Sequence, residues 1–141
     1  MNSPKFLTGT LVGGLALFLL GYLFYGLALA SFFTQHSVAP AGSMRSMNEI
    51  VWWALILGNI FWGALLTYVL LKLGANSFSS GARTAGAVSF FMALSVDMIR
   101  YGTEVTSDLT GTLADVVVSV VMSIIAGGII GAVLGAGVKK A

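Results

Sequence analysis

The sequence predicts an all-α integral membrane protein, a four-helix bundle with both termini in the cytoplasm. Three observations predict it. Only 9% of the 141 residues are charged while 57% are hydrophobic, whereas soluble domains carry roughly a quarter charged residues. Those few charges are clustered, so that four long stretches are nearly free of them. Lys and Arg, finally, collect on one side of these stretches. A soluble globular enzyme is excluded.

A bilayer core about 30 Å thick is crossed by roughly 20 apolar residues in a helix. The first span is the charge-free run 6–33, and the second is 50–71, between Glu49 and Lys72. The third, 82–105, is uncharged only as far as Val96 and crosses by continuing through Asp97 and Arg100. The fourth, 113–138, is held by Lys139 and Lys140. Residues 1–141 therefore read as one membrane domain with short connections. Ala28-Leu29-Ala30 has the small-x-small pattern of a signal cleavage site, but the run before it far exceeds the roughly 7–15 residues of a signal core. A retained helix is expected.

Orientation follows from the basic residues of short loops. Lys5, Lys72, Arg83, Lys139 and Lys140 fall on one side, Arg45 and Arg100 on the other with Glu49, Glu104, Asp108 and Asp115. The richer side is the expected cytoplasmic one. Trp52 and Trp53 then sit at the outer start of the second span, where indoles favour the headgroup boundary.

With no cysteine, disulfides, thiolate metal sites and cysteine nucleophiles are excluded. One histidine, His36, cannot build a histidine metal site, and it reads as a solvated loop residue. No metal site or catalytic constellation is predicted, and no cofactor is indicated. A lipid, quinone or pigment beside the Phe- and Tyr-rich first span is left open. A pI near 9.2 rests on seven Lys and Arg that set orientation, so no nucleic-acid partner is expected. The segment 77–86 reads as a flexible turn; it carries no GxxxxGK[ST] phosphate loop. Trp62 and Tyr68 read as ordinary apolar or interfacial residues.

Small residues recur every fourth position on two consecutive spans. The third carries Gly81, Ala85, Ser89 and Ala93; the fourth carries Ser119, Ser123, Gly127, Gly131 and Gly135. In lipid, helices gain little from the hydrophobic effect on associating, and such stripes let backbones approach and gain dispersion contacts. A close antiparallel hairpin is expected, with two uses for the stripes: packing within one bundle, or docking a second copy or another membrane subunit. Ala54, Gly58 and Gly63 on the second span are further small positions.

The anomaly is Asp97 with Arg100. On a helix over 82–105, Asp97 falls about 5 Å from the midplane and Arg100 about 9 Å, at a rise of 1.5 Å per residue. Asp97, Arg100 and Glu104 share a face at spacings of three and four, with Tyr101 near it. Tyr22, Tyr25, Asn59, Ser119 and Ser123 lie in the outer halves or near the middle of the other spans. Together they predict an outward-opening polar pocket rimmed by Glu104, Asp108 and Asp115. Two readings compete. Asp97 and Arg100 form a structural ion bridge with Arg100 snorkelling outward, or Asp97 titrates or binds a cation and Arg100 tunes it, as in transporters and proton relays.

The run Gly21-Tyr22-Leu23-Phe24-Tyr25-Gly26, followed by three glycine-rich spans, resembles an uncharacterised family of small four-span bacterial inner-membrane proteins, grouped as a domain of unknown function. Phe24 stands where that family more often has Trp, and a Phe-Gly-x-x-Trp-like continuation is missing after Ser31. The resemblance implies four helices and a bacterial inner membrane, and no activity. The expected function is a non-enzymatic structural or accessory role, as an oligomer or a subunit of a larger membrane complex, with the lipid bilayer, itself or other membrane subunits as partners. The alternative is a small oligomeric transporter or ion-conducting protein using the Asp97 and Arg100 pair.

Overall fold

A computed structural model describes residues 3–43 and 45–136. These are helical almost throughout: α1 (Ser3–Gly21) continuing as a π-helix (Tyr22–Ala28), α2 (Ala30–Gln35), a 3₁₀ turn (Met47–Glu49), α3 (Trp52–Lys72), α4 (Phe78–Thr103) and α5 (Leu109–Gly135). Four of these segments, Ser3–Ala28, α3, α4 and α5, are long and apolar enough to cross a membrane. Lys139, Lys140 and the expected end of the fourth span at 138 lie outside the described residues.

Local chemistry sets where the helices start and stop. Ser77 opens α4 with a capping box: its hydroxyl accepts from the Ser80 amide at 3.2 Å, and the Ser80 hydroxyl accepts from the Ser77 amide at 3.1 Å. The segment expected as a flexible turn over 77–86 is therefore helix from Phe78 onward. Asp108 opens α5, its carboxylate accepting from the Gly111 amide at 2.7 Å. α3 ends on Gly74, whose φ of 67° suits glycine, while Ala75 N–H donates to the Leu70 carbonyl at 2.9 Å.

α1 and α3 form one antiparallel pair, α4 and α5 another, and α1 joins them by packing on α5. We call the end holding the start of α1 and the finish of α5 the near end, and the end holding α2 and the start of α3 the far end. The small-residue stripes meet within the chain. Gly81 lies so close to Gly127 and Gly131 that a Cβ there would overlap the Gly127 carbonyl, and Gly131 and Gly135 approach the Ser77 and Asn76 carbonyls in the same way. Ala85 sits on Gly127, and the Ser89 hydroxyl donates to the Ser119 carbonyl at 3.1 Å. Ala93, last of the third-span stripe, is half-buried and faces a cavity instead of a glycine. α1 meets α3 through Gly13, Gly14 and Gly63. Leu66, Leu70 and Ile130 fill the space between the pairs and are fully buried.

The first span departs from the uniform helix expected over 6–33. After Gly21 the hydrogen-bonding pattern widens to π, seen at Leu29 N–H to the Phe24 carbonyl at 2.8 Å, and the helix then breaks at Leu29 before α2. Such π segments recur at functional sites, because the extra residue re-aims a side chain. Here that side chain is Tyr25.

Candidate functional site

In the far half, α4 and α5 are separated by side chains in place of glycines, and two cavities lie there. One, of about 280 Å³, descends from Tyr25, Asp97 and Asp115 past Asn59 and Ser119 to Trp62 and Ser123; we call it the chamber. The other, of about 230 Å³, lies between that level and the far end, lined among others by Ser37, Arg100, Tyr101, Thr106 and Thr112; we call it the vestibule. Tyr25, Asp97 and Asp115 line both and stand between them; we call these three the neck.

The neck is assembled from three helices. The Tyr25 hydroxyl, carried on the π segment, donates to the Asp115 carboxylate, and Ser119 lines the same cavity. Asp97 on α4 and Asp115 on α5 line the same two cavities, and Asp97 is buried, with 7% of its surface exposed. Arg100 stands 3.9 Å from Asp97, beyond hydrogen-bond length, and donates instead to Glu104 at 3.3 Å. Half-exposed, it points to the far end, so Arg100 serves Glu104 more than Asp97.

The earlier start of α4 also moves Asp97. With the helix centre taken as the bilayer centre, Asp97 and Asp115 each lie about 10 Å toward the far end and Arg100 about 14 Å. A helix over 82–105 would place Asp97 and Arg100 deeper, at about 5 Å and 9 Å from its midpoint. For a hydrocarbon core about 30 Å thick centred there, Asp97 would lie inside it and Arg100 at its edge.

Several other expectations change. Asp115, read as part of the rim, is in the neck. Asn59 lines the chamber, but its amide donates to the Leu55 carbonyl at 2.8 Å. Ser123 accepts from the Trp62 indole N–H at 3.1 Å, which makes Trp62 part of the chamber floor. Tyr22 is exposed and stacks over Gly26, away from the neck. It belongs to a third space of about 390 Å³, a groove between α3 and the π segment that is lined by Phe18, Tyr22, Trp52 and Leu55 and shares Tyr25, Asn59 and Met122 with the chamber. Tyr101 lines the vestibule, and Glu104 is exposed beside it.

The vestibule is roofed by a clip. His36, expected as a solvated residue, is partly buried and its Nδ1 lies 2.7 Å from an Asp108 carboxylate oxygen. Val38 N–H donates to the Thr106 carbonyl at 3.2 Å and Asp108 N–H to the His36 carbonyl at 3.0 Å. The Gly111 amide, then the His36 ring, hold the Asp108 carboxyl below the usual carboxylate range. Gly111 has to be glycine here, since a Cβ would lie 2.9 Å from the His36 Cβ. Asp108 just ahead of the long apolar run is the sequence signal for the cap, but nothing in the sequence pairs it with His36.

Among the described residues no three His, Asp or Glu side chains converge to hold a metal ion. No protein-family model, curated protein or solved structure matches this chain, so the site is read from its own geometry.

Proposed function

We propose that this chain is a small membrane protein that takes up and passes a proton or monovalent cation through the Tyr25–Asp97–Asp115 neck. The observation that carries the reading is that two cavities meet at the same three polar side chains, one of them a buried aspartate at membrane depth. Ionisable groups at such depth are costly and mark ion pathways and proton relays. Two carboxyl groups that line the same cavities at this depth lower their mutual repulsion by taking up a proton or a cation. Two carboxyls and a phenol suit a single charge better than a divalent ion, which favours a larger set of oxygen ligands.

In this reading the protein is not an enzyme and needs no cofactor. The near end is cytoplasmic, as the positions of Lys5, Lys72 and Arg83 favour. The membrane is a bacterial inner membrane, and the four-span family resembled at 21–26 is its kin. The test is cation and proton flux in proteoliposomes. Asp97→Asn and Asp115→Asn abolish flux if the reading holds; flux unchanged by both contradicts it.

One observation favours the structural or accessory reading, and it concerns assembly. Gly58 lies mid-helix with no atom within 4 Å of a Cβ built on it, and α3 is exposed on every side over 52–58. A mid-helix glycine costs about 1 kcal/mol relative to alanine, and Ala54 and Gly58 would accept a close helix from a second copy or another subunit. Native mass spectrometry after gentle extraction tests this: an oligomer or an added chain is expected, and a bare monomer removes it.

A further inference from the structure

The lateral groove differs in character from the two cavities it adjoins. Phe18, Tyr22, Trp52 and Leu55 give it apolar and aromatic walls, and Tyr22, Trp52 and Leu55 are exposed on the surface that the bilayer would cover. A bare proton or metal ion has no use for such walls. Tyr25, Asn59 and Met122 belong to both groove and chamber, so the groove lies directly against the chamber that Asp97 and Asp115 line. At about 390 Å³ the groove falls within the roughly 300–1,000 Å³ of small-molecule sites.

Charge and shape together select an occupant. The neck is acidic, and its nearest cation, Arg100, is turned to Glu104. A ligand entering from the bilayer would pass two tyrosines and a tryptophan, whose ring faces attract positive charge, most strongly when water is excluded. A lipid chain would match the walls but not the carboxyl end, and an inorganic cation would match the carboxyls but not the walls. We propose that the groove admits a lipophilic organic cation from the bilayer, with its apolar body on Phe18, Tyr22, Trp52 and Leu55 and its positive centre toward Asp97 and Asp115. This inference rests on the cation-handling reading and names the substrate class of the same site.

The probe is tetraphenylphosphonium, with tetraphenylborate as its counterpart of the same shape and opposite charge. Binding of each is measured calorimetrically to the whole chain in nanodiscs, with empty nanodiscs subtracting partition into lipid. Inorganic cation and proton flux are recorded on the same preparation. Saturable binding of the phosphonium and not of the borate is expected, weakened roughly tenfold or more in Asp97→Asn, as for loss of a buried charged partner. Trp52→Ala, at an exposed position where the fold does not depend on the indole, should weaken binding several-fold and keeps the test sound if Asp97→Asn fails to fold. Equal binding of both ions makes the groove an apolar surface only and overturns the inference. Absent phosphonium binding, with Asp97-dependent flux of inorganic cations or protons intact, also overturns it but spares the reading of the neck. Absence of both binding and flux removes both.

Discussion

At the near end α4 and α5 touch backbone to backbone, Gly81 on Gly127 and Gly131, while farther along the same two helices Asp97 and Asp115 line two cavities. Each step of four along α4 meets a step of four back along α5, so that the pairs Gly81–Gly131 and Ala85–Gly127 extend along the helices toward Asp97 and Asp115. What changes is the side-chain size and polarity at those steps. Close glycine contact at one end fixes the separation and crossing of the helices by dispersion forces, and the larger, polar side chains at the other are thereby held apart with space around them. The dense half thus positions the open half.

The first way to break this comparison is at the neck, where the largest effect is expected. Asp97→Asn and Asp115→Asn keep the shape of the side chains and remove their charge; flux in proteoliposomes should fall roughly tenfold or more, as expected of an intramembrane ion site. The dense half is next. Gly81→Val must push against the Gly127 backbone, which cannot give way as a flexible side chain would. A loss of about 1–3 kcal/mol is expected from overpacking, read as lower thermal stability in detergent, whereas Gly58→Ala, with open space around it, should leave the stability of the single chain unchanged or raised. A smaller effect comes at the chamber floor: Trp62→Phe keeps the ring but removes the hydrogen bond to Ser123, costing about 1 kcal/mol.

The smallest effect is at the clip. Asp108 is held below the usual carboxylate range by Gly111 N–H and by His36, so its stabilising contribution is present above the ordinary carboxylate value and is lost as pH falls through its lower folded value. From neutral pH down to about 4 the contribution should be constant. Further acidification should speed amide exchange at Gly111 and Val38, and Asp108→Ala should show that faster exchange at neutral pH.

The parts of this molecule that were legible in the sequence are those set by local composition and period. Four spans follow from the spacing of charges, and the small-residue series on α4 and α5 announced the hairpin that the structure contains. A fourth span starting at 113 puts Asp115 at the rim; α5 starts about a turn earlier, at Leu109, and Asp115 lies farther along it. The antiparallel register of Gly81 with Gly131 and Ala85 with Gly127, carried four residues at a time to Asp97, would have found it. The π segment left no comparable trace, since no proline or charge marks Tyr22–Ala28. The His36–Asp108 contact joins residues far apart in sequence and was equally invisible to periodicity.

The chain contains no cysteine, so single cysteines can be placed at will and labelled with a membrane-impermeant, charged thiol reagent from either face of a sealed vesicle. Ser119→Cys probes the chamber and Ala126→Cys, fully buried, probes the dense half. Labelling of Ser119→Cys from the far face alone, with Ala126→Cys protected from both, is the result expected of a polar route that opens at one end and is sealed by glycine packing at the other. Protection of Ser119→Cys from the far face, or labelling of Ala126→Cys, would contradict it.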